Sequence, residues 1–221
     1  MTAYEAIPYG IRLGVTGHRK LDDPEALQAL VKKAIDTEIE KLFPEESKAS
    51  TRQVQKAGTT AISYRVLSPL AEGANRLVAQ VVLDEPGARL DAVLPLVLED
   101  YLEDFETEES RIEFGELLDR CRKPVFLRTR RIQDDRHAPE AQADLRSDAY
   151  AALGGYVVDH CDVLIAVWDG EPARGRCGTA EIVEYALQRN RPVLRVWCDS
   201  FGLLKAQSGE VRWSHAARTQ D

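Results

Sequence analysis

The stretch from Asp162 to Trp197, DVLIAVWDGEPARGRCGTAEIVEYALQRNRPVLRVW, leaves this chain few ways to fold. Val163 to Val167 is a short, nearly continuous apolar run, the pattern of a parallel strand covered by helices on both faces, and Pro192 to Trp197 repeats it. A glycine-bearing loop and a helical pattern lie between them, so the segment reads strand, loop, helix, strand. Gly175 and Gly178 permit positive φ and close backbone approach. Thr179 opens a helix whose first free N–H groups and positive dipole end can hold an anion. A phosphorylated ligand at this loop is the first expectation.

The rest of the chain has the size and composition of one α/β unit: 221 residues with 44% hydrophobic content can bury a substantial core. The domain is expected over residues 1–198, followed by a C-terminal tail over 199–221. With 37 acidic against 29 basic side chains the net charge is −8, a field that repels duplex DNA and anionic membrane. The start, MTAYEAIPYGIRLG, lacks a basic segment followed by an apolar core, and no stretch approaches the ~18 apolar residues of a spanning helix. A cytoplasmic protein is expected. Cys121, Cys161, Cys177 and Cys198 lie far apart, with no C-x-x-C pair and no histidine at zinc-ligand spacing, so reduced structural thiols and no metal site are expected.

Ile11 to Val15 reads as a first strand running into Thr16-Gly17-His18-Arg19. A helix follows Asp23-Pro24, a good N-cap and first helical residue, and extends to about Phe43 on the stripe Leu27, Leu30, Val31, Ala34, Ile35, Ile39 and Leu42. Residues 44–60 are polar and without periodicity, a long connection or flap. Ile62 to Leu67 is a second strand, meeting Ser68-Pro69-Leu70-Ala71-Glu72-Gly73-Ala74-Asn75 and then a helix marked by Leu77, Val78, Val81 and Val82. Leu90 to Leu96 reads as a third strand, residues 99–122 as an acidic helical region, and Pro124 to Leu127 as a fourth strand. Arginines in residues 128–148 are balanced by acids, the composition of a solvated loop or, alternatively, a ligand lid. Leu153, Tyr156, Val157 and His160 mark a helix leading into Val163. Strands alternating with helices imply a Rossmann-like, doubly wound, mainly parallel sheet with helices on both faces.

In such sheets a ligand sits beyond the carboxyl ends of the strands near the reversal of strand order, which sets the Gly17, Gly73 and Gly178 loops along one rim. The chain lacks both G-x-G-x-x-G after its first strand and G-x-x-x-x-G-K-[ST] anywhere, so neither an ordinary dinucleotide enzyme nor a P-loop nucleotidase is supported.

Three pieces, VTGHR at 15–19, SPLAEGANRLVA at 68–79 and WDGEPARGRCGTAEIVEYA at 168–186, together resemble the loops of the SLOG superfamily. This Rossmann-like group includes DprA, the Lonely Guy (LOG) phosphoribohydrolases and the nucleotide-sensing region of TRPM channels. The resemblance spans about residues 11–198. The middle piece is similar to the S-G-L-A-x-G-x-D run of DprA-like proteins, with Pro69 in place of a glycine and Asn75 in place of the aspartate. The last is similar to the G-G-x-G-T-x-x-E loop of LOG, but Arg176 and Cys177 precede Gly178, and Glu181 follows Thr179 by two residues rather than three. LOG enzymes also carry an Arg with a neighbouring Met on an internal helix, and here the only methionine is Met1. The resemblance thus implies ligand binding without turnover: a cytoplasmic sensor of a nucleotide or ADP-ribose-like ligand, of the kind found in bacterial stress or conflict signalling. Its implied partners are that ligand, an effector protein and further copies of the chain; no other cofactor is implied. The alternatives are a LOG-like N-glycosidase acting on a nucleoside monophosphate through Glu181, and a non-catalytic assembly scaffold.

The candidate ligand-binding residues are Thr16, Gly17, His18 and Arg19 from the first loop, and Ser68, Glu72, Gly73, Ala74 and Asn75 from the second. Trp168, Asp169, Gly175, Gly178, Thr179 and Glu181 come from the third. Arg19 can hold a phosphate in bidentate fashion, and Asp169 can accept from a ribose hydroxyl. Trp168 either stacks on a base or is ordinary core, and Tyr150 is a further candidate for a base or ribose contact. Glu72 and Asn75 either cap a helix or meet the ligand. Glu181 either accepts from a ribose hydroxyl or complements the helix dipole.

Overall fold

The structure, a computed structural model, describes residues 9–39, 62–134, 139–172, 178–198 and 211–214. Seven strands form one sheet: β1 (Tyr9–Gly17), β2 (Ile62–Ser68), β3 (Arg89–Leu94), β4 (Val125–Phe126), β5 (Val163–Trp168), β6 (Val193–Trp197) and β7 (Val211–Ser214), in the order β4-β3-β2-β1-β5-β6-β7. The first six run parallel, and β7 closes one edge antiparallel to β6. The winding steps from β1 outward to β4, then returns to the other side of β1 for β5 and β6. This is the doubly wound, Rossmann-like arrangement, and its reversal of strand order lies between β1 and β5.

Strand β5 is apolar on both faces because both faces are covered. Ile11, Leu13, Val15, Val66 and Ile165 join a core with helices α1 (Pro24–Ala34), α2 (Ala74–Leu83) and α4 (Glu108–Asp119). Leu164 and Ala166 join a second core with α5 (Pro139–His160) and α6 (Thr179–Gln188). All six strands expected from the sequence are present. The tail supplies an additional one, β7, whose Trp213 pairs with Leu194 and donates from its indole N–H to Glu38 at 3.2 Å.

Three sequence expectations need correction. Helix α1 begins as expected, with the Asp23 carboxylate accepting from Ala26 N–H at 3.0 Å. It widens into a π-helical turn over Ile35–Ile39, where Thr37 Oγ1 donates to the carbonyl of Lys33 at 2.7 Å and Ile35 and Ile39 both stay buried. Residues 40–61, which include the expected end at Phe43 and the polar connection, lie outside the described residues. The acidic region 99–122 is two helices, α3 (Leu98–Leu102) and α4, because Thr107 caps α4 by accepting from Ser110 N–H at 3.1 Å. Residues 128–148 are not a solvated loop: they contain a 3₁₀ turn (Ile132–Asp134) and the first half of α5. Buried Asp100 orders this stretch, accepting from Arg131 Nε at 3.0 Å and Ile132 N–H at 2.7 Å, while Arg146 pairs with Asp104.

Candidate functional site

The carboxyl ends of β1 and β5 diverge into a cleft of ≈ 340 Å³. That volume lies at the small end of the range typical for ligand sites. Its floor is the end of β1, from Val15 to Arg19, with Trp168 and Asp169 at the end of β5. The start of α6, Gly178 to Ala180, forms one side. Tyr150, Leu153, Gly154 and Val157 form another, spaced so that a single face of α5 looks into the cleft.

The first loop is held by its backbone. His18 N–H donates to the carbonyl of Val167 at 3.1 Å, tying β1 to β5, and Ala74 N–H donates to the carbonyl of His18 at 3.0 Å. Gly17 is required for space rather than for a left-handed turn, since a Cβ there would lie 2.5 Å from both the Ala74 side chain and the Val167 carbonyl. Gly73 is required on both counts: its φ is +73°, and a Cβ would lie 2.2 Å from the Arg19 carbonyl oxygen. The start of α2 is thus pressed beneath residues 18 and 19, whose carbonyls lie at Ala74 N–H and against Gly73.

The His18 ring is oriented by buried Asp169, its Nε2 lying 3.1 Å from Asp169 Oδ1 and 3.3 Å from the Asp169 N–H. The first contact needs a proton on Nε2 and the second needs that nitrogen bare, so the tautomer and charge of the ring select between them. Asp169 Oδ1 also accepts from Glu171 N–H at 3.0 Å. The guanidinium of Arg19 lies 6.0 Å from the Tyr150 ring centroid. The Tyr150 hydroxyl donates to Asp104, and burial, reinforced by Asp104, pushes its pKa far above the ordinary value. Tyr101 is shifted upward by burial as well and donates to the Pro69 carbonyl at 3.0 Å. Both phenols therefore stay protonated and held.

Helix α6 starts differently from α1 and α4. Its N-cap, Gly178, has extended φ and ψ of −73° and 166°, so the positive φ that a glycine permits is not used there, and it makes no side-chain capping bond. The first turn of α6, Gly178 to Ala180, faces the cleft without a capping side chain from Gly178 itself. Trp168 is a braced wall: its indole N–H donates to the Glu171 carbonyl at 3.0 Å, and Arg195 packs against its ring at 4.6 Å from the centroid.

Of the residues singled out in the sequence, Thr16, Gly17, His18, Arg19, Asn75, Trp168, Asp169, Gly178 and Thr179 line the cleft together. Asn75 is buried, and its Oδ1 has no hydrogen-bond partner. Others serve the scaffold: Ser68 Oγ donates to the Asn75 carbonyl at 3.0 Å and accepts from Leu70 N–H at 3.1 Å. Glu72 accepts from the Ser110 hydroxyl, and Ala74 is buried against the first loop. Glu181 lines an adjoining groove between α5 and α6 rather than the cleft. Gly175 lies outside the described residues. The sequence reading missed Tyr101 and the Leu153, Gly154, Val157 face of α5. The spacing of that face was visible, but core packing explains it equally well. No model of a known protein family matches the chain, and no curated protein sequence matches it.

Proposed function

We propose that this protein is a cytoplasmic ligand-sensing module of the SLOG type that binds a nucleotide or ADP-ribose-like molecule in the cleft without turning it over. The observation that carries the reading is the N-terminus of α6, which begins at a glycine with no capping side chain of its own and lines a cleft also lined by His18 and Arg19 at the reversal of strand order. The anionic part of the ligand lies against Gly178 and Thr179, with Arg19 as its charged partner. The apolar face of α5 covers the base. Occupancy is passed to an effector protein or to further copies of the chain, in stress or conflict signalling.

A LOG-type glycosidase needs a carboxylate at the sugar in the cleft, whereas Glu181 lines the groove beside it. The test is a thermal-shift screen of AMP, ADP-ribose and cyclic nucleotides with chromatography of each mixture. A shift with the ligand recovered intact is expected. Free base among the products would replace the sensor with the glycosidase, and no shift with any compound would leave an assembly scaffold.

A further inference from the structure

Pro69, Ala71 and Asn75 line the cleft together with Tyr101. The polar groups around this second loop are already spent within the protein. Ser68 Oγ donates to the Asn75 carbonyl and accepts from Leu70 N–H, the Tyr101 hydroxyl donates to the Pro69 carbonyl, and the His18 carbonyl accepts from Ala74 N–H. Asn75 is the exception. It sits in the first turn of α2, only 7% exposed, and its Oδ1 has no hydrogen-bond partner, so the side chain does not cap the helix. A buried acceptor without a donor weakens the fold, and its place on the cleft points to a donor that arrives with the ligand. The surroundings define that donor. Beside Pro69, Ala71 and a Tyr101 whose hydroxyl is spent, Oδ1 is a single acceptor in an apolar setting. A sugar brings several hydroxyls and would leave the others unpaired there, whereas the edge of a planar base can present one amino group among apolar ring atoms.

We infer that Asn75 is a specificity-determining residue whose Oδ1 accepts from an exocyclic amino group on the base, so that the cleft tells amino-bearing bases from those without that donor. The inference rests on the nucleotide reading of the cleft. Two measurements on the native chain, Asn75→Ala and Asn75→Asp test it: calorimetric titration with AMP and with purine riboside monophosphate, which carries hydrogen in place of the amino group, and urea denaturation. The native chain should bind AMP about tenfold more tightly than the analogue. Asn75→Ala should erase that preference by weakening AMP alone, and Asn75→Asp, which keeps an acceptor in place, should retain the preference even where its charge weakens both nucleotides. The urea midpoint of Asn75→Ala should equal or exceed that of the native chain, because the unpaired acceptor is gone and alanine is the better helix former. Equal binding of the two nucleotides by the native chain, equal weakening of both in Asn75→Ala, or a lowered midpoint would overturn the role of Asn75 while the nucleotide reading stands. Absence of binding by both nucleotides would remove that reading and the inference with it.

Discussion

Helices α2 and α6 both begin at the rim with a glycine N-cap and no capping side chain, yet the two starts are built to opposite ends. At α2 the chain itself fills the opening: the His18 carbonyl takes the Ala74 N–H, and the backbone of residues 18 and 19 lies too close to Gly73 for any side chain. At α6 Gly178 brings no capping side chain of its own, and it adopts a conformation open to any residue. A glycine before a helix therefore has two meanings. At Gly73 it allows protein to approach the helix end, and at Gly178 it keeps the cap position bare at the edge of the cleft.

The largest effect that tests this contrast is expected at Gly73. Gly73→Ala forces a left-handed φ on a side chain and a collision with the first loop, and should cost about 3 kcal/mol of stability in urea denaturation. An unchanged midpoint would show that the first loop is not packed on α2 as described.

Arg19 contributes its carbonyl to the closed side and its guanidinium to the cleft. Arg19→Ala should weaken a nucleoside monophosphate by ~1.5 to 3 kcal/mol while weakening the matching nucleoside much less. Equal losses for both compounds in parallel titrations would place the phosphate elsewhere.

The smallest free-energy change comes from supplying α6 with the cap it lacks. Gly178→Asp should leave stability unchanged or raise it by roughly a few tenths of a kcal/mol, because aspartate is a good N-cap. Its carboxylate would cap the first turn and, if the proposed anion site is there, repel the phosphate, so affinity for the nucleoside monophosphate should fall about tenfold. A variant that binds AMP as well as the native chain would show that the two helix starts do not differ in function.

Much of this architecture was legible in the sequence, and the reason is burial. A parallel strand covered on both faces stands out as an apolar run whatever surrounds it, as Val163 to Val167 does. The rim followed from the strand ends, since the carboxyl ends of β1 and β5 and the glycines at or after them carry the first and third loops. What escaped depends on partners far apart in the chain. The start of α5 has an unremarkable composition, and its order comes from Asp100 and Asp104, which grip Arg131 and Arg146 more than thirty positions later. The break between α3 and α4 was present as a Thr107-Glu108-Glu109-Ser110 cap signal but was masked by acidic residues on both sides. Glu181 is a matter of angle: one helical position turns a side chain by about 100°, enough to move it from one cavity to its neighbour.

The tie between Tyr150 and Asp104 bears on the entropy of recognition. A phenol free to rotate at the mouth of a site must be immobilised by whatever arrives, at a cost of about 0.5 to 1.5 kcal/mol for a side chain of this kind. Here that rotational freedom is surrendered when the chain folds, to a carboxylate that is itself paired with Arg146. A molecule entering the cleft would meet Tyr150 already held in place by the fold, and would have no rotation of that ring to arrest.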